Sequence, residues 1–155
     1  MKSAIAVITL LLTITSHSYA KETLPILTGP YVGQTPPGLT PKVFAPRDRT
    51  PEQRDHSGFF SPDMTEFYFT RRNNTDGKWT LISYKLENGA WQESVVGARV
   101  GRPILSPDGK IMHLGKHYMQ RTATGWSEIK SLAAPYDAIR IMRLMSSICS
   151  RHILL

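Results

Sequence analysis

Three consecutive residues, Asp55, His56 and Ser57, carry the side chains of a hydrolytic catalytic triad. In an extended strand, successive side chains point to opposite faces, so neighbouring residues cannot form the relay of carboxylate, imidazole and hydroxyl. The sequence also has no Gly-Xaa-Ser-Xaa-Gly elbow and no phosphate-binding glycine loop. We therefore predict no catalytic residue in this chain.

Two histidines, His113 and His117, have the spacing that brings two metal ligands together on a helix. Residues 110–114 favour a strand, and four residues of a strand span roughly 13 Å, too far for one ion. The single cysteine, Cys149, allows no internal disulfide and no cysteine metal site. The sequence predicts neither a metal site nor a cofactor.

A different chemistry is indicated by His56 at the start of a predicted inner strand, by Arg102 one residue from the equivalent position of the second unit, and by Arg143 in the third unit. If these strands line one channel, the three side chains face it together and favour an anionic ligand. They are the binding candidates of the chain. The alternative is that all three are solvated strand ends, as arginine and histidine on protein surfaces usually are.

A repeated tripeptide marks the elements that would position these residues. The tripeptide Ser-Pro-Asp occurs twice, at positions 45 residues apart, and 45 residues is the length of one unit in several repeat folds. Proline presets φ at the turn corner, aspartate accepts backbone N–H bonds, and glycine adopts left-handed backbone. Met64 replaces the glycine in the first copy, which predicts a wider or differently bonded turn. The seven residues predicted to be structural are Ser61, Pro62, Asp63, Ser106, Pro107, Asp108 and Gly109.

Short strands separated by turn signals follow the repeat. The first unit, residues 55–100, has predicted strands at 58–60, 66–72, 79–87 and 91–96. The second, residues 101–136, has them at 102–105, 110–114, 118–123 and 126–132. The strands at 66–72 and 79–87 carry large apolar residues on both faces, which indicates that other elements cover both sides of such strands.

The remaining segment, residues 137–155, begins a third unit and then leaves the pattern. Leu144-Met145-Ser146 aligns with the apolar pair and serine of the earlier units, but no Pro-Asp follows. We predict that residues 138–147 form the first strand of this unit and that the last eight residues lie outside the fold. The alternative is a short basic amphipathic helix, because Ile141, either Leu144 or Met145, and Ile148 have helical spacing.

The first 54 residues are predicted to form two segments, neither of which has a hydrophobic core of its own. Residues 1–20 have a lysine, an apolar run too short to span a bilayer comfortably and a small-residue ending, which is the layout of a signal peptide cleaved after Ala20. The alternative is an uncleaved amino-terminal anchor. Residues 21–54 are rich in proline, and this predicts an extended lead-in that lies along another surface. No other apolar run reaches membrane-spanning length. The net charge of +7 is scattered along the chain, which argues against nucleic-acid binding.

The tripeptide and its surroundings resemble a known family. SPDMTEFYFTRR and SPDGKIMHLGK are similar to the Ser-Pro-Asp-Gly-Lys repeat of WD-repeat-like β-propellers, such as those of TolB-type periplasmic proteins. The resemblance covers about residues 30–136. It implies an all-β fold: a partial β-propeller of about two four-stranded antiparallel blades plus the first strand of a third, with an extended lead-in.

We therefore expect an exported, non-enzymatic propeller fragment with a binding or scaffolding role in the periplasm or outside the cell. Its partner would be an unidentified protein or small ligand, and open blade edges predict self-association. Two alternatives stand beside this hypothesis. The chain is either the first part of a propeller-containing peptidase or glycoside-cleaving enzyme, or a truncation product that has no function.

Overall fold

The protein is described by a computed structural model, which covers residues 26–44, 50 and 52–147 and the backbone of Ile153 and Leu154. The predicted signal peptide, residues 1–20, lies outside the described residues, as does Cys149. None of the helices in the described ranges is long and apolar enough to cross a membrane. The structure confirms the all-β class, because almost all of its regular structure is antiparallel sheet.

Eleven strands are present in the described residues. The first sheet contains β1 (Gln53–Phe60), β2 (Glu66–Asn73), β3 (Trp79–Glu87) and β4 (Ala90–Ala98). The second contains β5 (Pro103–Leu105), β6 (Ile111–Leu114), β7 (His117–Thr122), β8 (Gly125–Trp126) and β9 (Lys130–Ser131). A third, two-stranded sheet contains β10 (Met145–Ser146) and β11 (Ile153–Leu154).

The first sheet is a meander in the order β1-β2-β3-β4, with strands close to their predicted positions. The β3–β4 turn is the predicted two-residue hairpin, in which Asn88 and Gly89 have φ of 51° and 78°, the left-handed angles such a turn needs. The largest difference is in β1, which begins at Gln53 instead of residue 58. As an edge strand of mixed exposure, its first half has no apolar pattern to reveal it.

The second sheet differs from the prediction at its last strand. Residues 126–132 form two short strands, β8 and β9, which pair with opposite ends of β7. One extra residue separates them, because four steps from Trp126 to Lys130 face three steps from Arg121 to Tyr118. The Ser127 hydroxyl fills the gap by accepting the Gln120 N–H at 3.0 Å. A β-bulge therefore interrupts the predicted continuous strand.

The two Ser-Pro-Asp turns have the same hydrogen bonds. The serine hydroxyl donates to the aspartate at 2.6 Å in the first turn and 2.5 Å in the second. It also accepts the N–H of the residue five positions later, Glu66 or Ile111, at 2.9 Å in both turns. The serine donors and backbone N–H groups lower the pKa of Asp63 and Asp108 below the ordinary 3.8. The motif therefore closes each hairpin, as predicted.

The expectation of a wider first turn was wrong. Met64 has φ of 61° and Gly109 has φ of 68°, and each donates its N–H to the serine carbonyl at 2.9 Å. The serine and aspartate bonds thus impose the same backbone on both residues. Because a left-handed conformation costs a side-chain-bearing residue about 1–2 kcal/mol, Met64 carries strain that Gly109 does not.

The first sheet is covered on both faces, as its two-sided apolar strands predict. Alternate residues of β2 divide between the faces, so that Phe67 and Phe69 point one way and Tyr68 the other. On the Phe67 face the lead-in supplies Leu27 and the buried Val32. The opposite face packs against the second sheet through a cluster of five buried residues, which are Tyr68, Leu81, Met112, Leu114 and Met119.

The described part of the lead-in, residues 26–44, is attached to the first sheet by specific bonds. Trp91 donates its indole N–H to the Gly29 carbonyl at 2.6 Å, and its backbone N–H to the Leu27 carbonyl at 2.8 Å. The segment is not extended throughout, since Pro30–Gly33 form a helical turn. Within it Tyr31 and Val32 have left-handed backbone angles, and the Val32 side chain is buried against the sheet.

The third unit differs from both interpretations of its sequence. Residues 138–147 form neither one strand nor a helix: a 3₁₀ turn at Tyr136–Ala138 and irregular chain precede the short strand β10. The prediction that the last eight residues lie outside the fold was also wrong in part, because Ile153 pairs with Ser146. This hairpin begins at the serine that aligns with Ser61 and Ser106, but its connection is two residues longer.

Candidate functional site

Two of the three predicted binding residues, Arg102 and Arg143, line the same cleft. The cleft has a volume of about 180 Å³ and lies where β5 and β10 begin, beside β1. Arg102 precedes β5 directly, and Arg143 lies two residues before β10. The structure thus places two exposed cationic side chains from different units at one concavity, while the third predicted residue lies elsewhere.

His56 does not line this cleft, and its ring lies 5.2 Å from the ring of Trp79 at the start of β3. Its neighbours Ser57 and Gly58 line the cleft instead. A register shift in β1 between His56 and Phe59, with Ser57 at φ 57°, changes which residues point toward β5. Such a bulge changes the direction of the side chains that follow it.

A second cleft, of about 410 Å³, shares Arg102 and Arg143 with the first. Its other lining residues come from the irregular segment before β10 and include Arg140, which sequence reasoning missed. Assigning residues 138–147 to one strand places Arg140 and Arg143, three positions apart, on opposite faces. The irregular chain found there places both at one cleft. The signal in the sequence was the presence of two arginines among apolar residues in IRIMR.

The charged side chains that line the two clefts are all positive. Among the described residues, no carboxylate lies within 4 Å of Arg102, Arg140 or Arg143. A third cleft of about 360 Å³, which shares Arg140, adds Lys116 and one acidic residue, Asp137. Cations therefore outnumber carboxylates among the described residues around this group of clefts, and the arrangement favours an anion.

Gly101 fixes the chain immediately before Arg102. It has φ of 65°, and a Cβ at this position would collide with the carbonyl oxygen of Leu114 on β6. The backbone of residue 101 therefore lies directly against the end of the neighbouring strand. This contact sets the position from which the Arg102 side chain leaves the sheet.

A separate polar cluster lies between the two sheets. Arg121 of β7 donates to both carboxylate oxygens of Glu66 of β2, at 2.8 and 2.5 Å, in a bidentate pair. Glu66 also accepts the Tyr68 hydroxyl at 2.9 Å, and Tyr68 accepts the Trp126 indole N–H at 3.2 Å. The Arg121 guanidinium lies 4.3 Å from the centre of the Trp126 ring. We call these four residues the inter-sheet cluster.

The chemistry of the inter-sheet cluster is structural. Burial and the Glu66 carboxylate raise the pKa of Tyr68 to about 12, so its hydroxyl stays protonated and donates to Glu66. The hydrogen bond to Glu66 raises the pKa of Arg121. The Arg121–Glu66 and Trp126–Tyr68 bonds run from the second sheet to the first, so the cluster joins the two sheets. The sequence signal for this cluster was Glu66, a charged residue at the start of an otherwise apolar strand, and sequence reasoning did not use it.

The two histidines are separated, but for a different reason from the one predicted. His113 lies on β6 and His117 on β7, and the pairing of His117 with Leu114 places the two imidazoles on opposite faces of the sheet. The described residues contain no group of three side chains that could hold a metal ion. His113 is 5% exposed, and its Nε2 lies 3.1 Å from the Ser146 hydroxyl of β10. It joins the second sheet to the third unit.

The structure also shows the environment of Asp55 and Ser57, two of the three consecutive residues with triad side chains. Asp55 accepts two bonds from Arg71, at 2.9 and 3.2 Å, so its carboxylate neutralises an arginine on β2. Ser57, as described above, lies at the bulge beside the basic clefts.

No protein-family model, curated protein or solved structure matches this chain.

The inter-sheet cluster predicts a large effect of removing its cation. In Arg121→Met, Glu66 remains largely buried without its partner, and we expect a loss of about 2 kcal/mol in the free energy of unfolding. A fully buried pair would cost roughly 3–5 kcal/mol, and the partial exposure of Arg121 reduces this. Urea denaturation measures the change.

The matched control is Lys85→Met, which removes the cation of the exposed Lys85–Glu87 pair and should cost less than about 0.5 kcal/mol. Adding Glu66→Gln to Arg121→Met should recover part of the loss, because it removes the uncompensated charge. Equal effects of the two single substitutions would contradict the role of the inter-sheet cluster.

The buried His113 predicts a pH dependence of stability. Burial lowers its pKa from the ordinary 6.5, so the unfolded chain takes up a proton at a higher pH than the folded chain does. The free energy of unfolding should therefore be highest above pH 6.5 and fall as the pH drops from 6.5 through the folded pKa. Thermal or urea unfolding measured between pH 8 and pH 5 tests this.

Substituting His113→Leu should flatten this part of the profile. The matched control is His56→Gln, which removes an exposed imidazole instead of a buried one. A profile that keeps its full slope in His113→Leu would show that another group is responsible.

Proposed function

We propose that the chain is part of a β-propeller, in which the first and second sheets are consecutive blades and β10–β11 begin the next. The single observation that carries this proposal is that two antiparallel meandering sheets, whose Ser-Pro-Asp turns lie 45 residues apart in sequence, pack face to face with the same turn closure. In the second sheet, β8 and β9 together form the fourth strand. Radial repetition of such sheets is the arrangement that defines propellers.

We further propose that this propeller binds a ligand or partner and does not catalyse a reaction. The support is the character of the clefts at the start of the inner strands, where arginines face apolar walls. Ser57 also lies there, and the carboxylate of Asp55, two residues before it, is bound to Arg71. These groups can hold an anion through charge and hydrogen bonds.

We also propose that residues 1–20 direct export and that the protein works in the periplasm or outside the cell. The support is the order of lysine, apolar run and small residues. Amino-terminal sequencing of protein recovered outside the cytoplasm should give a chain that begins at Lys21. Recovery of the protein only in the cytoplasm with Met1 intact would reject this part of the proposal.

The propeller arrangement predicts unequal distances between equivalent positions of the two sheets. Blades fan out from an axis, so their outer strands lie farther apart than their inner strands. Sheets stacked as a sandwich keep a constant separation of about 10 Å. Spin labels at Ser57 and Arg102 report the inner distance, and labels at Glu93 and Glu128 report the outer one. Double electron–electron resonance in a Cys149→Ser background should give a clearly longer outer distance.

Each label must leave the fold intact, and an unchanged circular dichroism spectrum and thermal midpoint serve as the control. Equal inner and outer distances would show that the two sheets form a sandwich and would contradict the propeller arrangement.

A further inference from the structure

The two clefts that share Arg102 and Arg143 combine charge with apolar surface. The larger cleft contains Arg140 as a third cation, and no carboxylate lies within 4 Å of any of the three among the described residues. Elsewhere in the described chain, Arg71 and Arg121 are held by carboxylates. The guanidinium groups at the clefts are thus available to a ligand from solution.

The walls beside these arginines are largely apolar. Phe59, Pro103, Ile104 and Met145 line the smaller cleft, and Ile139, Ile141 and Met142 line the larger. Several of these side chains are well exposed to water: Met142 is 78% exposed, Met145 52% and Ile139 43%. Covering such surface is favourable in proportion to its area, so a ligand that brings apolar atoms gains affinity here.

We propose that these clefts bind a small aliphatic monocarboxylate. Its carboxylate lies between Arg102 and Arg143, and its chain lies along Ile139, Ile141 and Met142. The fork of a guanidinium matches the two oxygens of a carboxylate, which explains why arginine serves here. A bare phosphate would satisfy the charges but leave the apolar walls exposed.

The shape of the site favours a small molecule over a polyanion or a membrane surface. Both clefts are concave, as small-molecule sites generally are. Asp137 lines the adjacent cleft on the Arg140 side and would repel a polyanion that extends across it. This inference rests on the proposed binding role and does not depend on the propeller arrangement.

Isothermal titration of the purified protein with butyrate, hexanoate, octanoate and decanoate below their micelle concentrations tests the proposal. Affinity should rise about twofold with each added methylene until the larger cleft is filled. This is less than the roughly fourfold gain of full burial, because the cleft is open to water. Arg102→Gln and Arg143→Gln should each weaken octanoate binding by tenfold or more.

The matched control is Arg54→Gln, which removes an exposed arginine of β1 outside the clefts and should leave octanoate binding unchanged. A neutral ligand of the same length, 1-octanol, should bind at least tenfold more weakly than octanoate, because it does not engage the guanidinium groups. Unchanged thermal midpoints of the variants would show that the fold is intact.

Three results would overturn the proposal. The first is binding of inorganic phosphate as tightly as octanoate without dependence on chain length. The second is binding to phosphatidylglycerol vesicles with none to monomeric carboxylates. The third is an equal loss of octanoate binding in Arg54→Gln. If no carboxylate binds but the outer spin-label distance is longer than the inner one, the proposed ligand is wrong and the propeller arrangement is supported. If carboxylates bind but the two distances are equal, only the propeller arrangement is wrong.

Discussion

The packing of the first sheet against the second is the contact on which the rest of the structure depends. Strand β2 is apolar on both faces, so the first sheet is stable only if both are covered. Tyr68 and Leu81 bury one face against Met112 and Leu114, and the Glu66–Arg121 pair adds directional bonds to that apolar contact. Apolar packing alone tolerates sliding between sheets. A bidentate ion pair does not, and it fixes their register.

Much of the fold could be predicted from the sequence because turn chemistry and strand periodicity are local. The Asn88-Gly89 hairpin and the two serine–aspartate turns follow from the conformations that these residues favour. Met64 shows the limit, since the bonds that the Asp63 carboxylate accepts from the Ser61 hydroxyl and a backbone N–H outweigh its own backbone preference. The break between β8 and β9 and the irregular chain before β10 depend on single extra residues and distant contacts, which periodicity does not reveal.

The basic clefts could be predicted only in part. Arg102 and Arg143 were found because equivalent positions of repeated units lie at the same place in each unit. His56 has nearly the same position in its unit, but the bulge at Ser57 moves Ser57 and Gly58 into the cleft in its place. Arg140 has no equivalent in the earlier units. It lines the cleft because of the backbone path of an irregular segment, and comparison of the repeated units does not predict that path.

The attachment of the lead-in has a consequence for the order of folding. The hydrogen bond from Trp91 to Gly29 joins residues that are 62 positions apart, and both faces of the first sheet need partners distant in sequence. Closing so long a loop is entropically costly until the sheet that receives it has formed. The lead-in, although it precedes the first sheet in the chain, is therefore among the last segments to find its place. Until β4 has formed, the aromatic residues Phe67 and Phe69 remain open to water or to other chains.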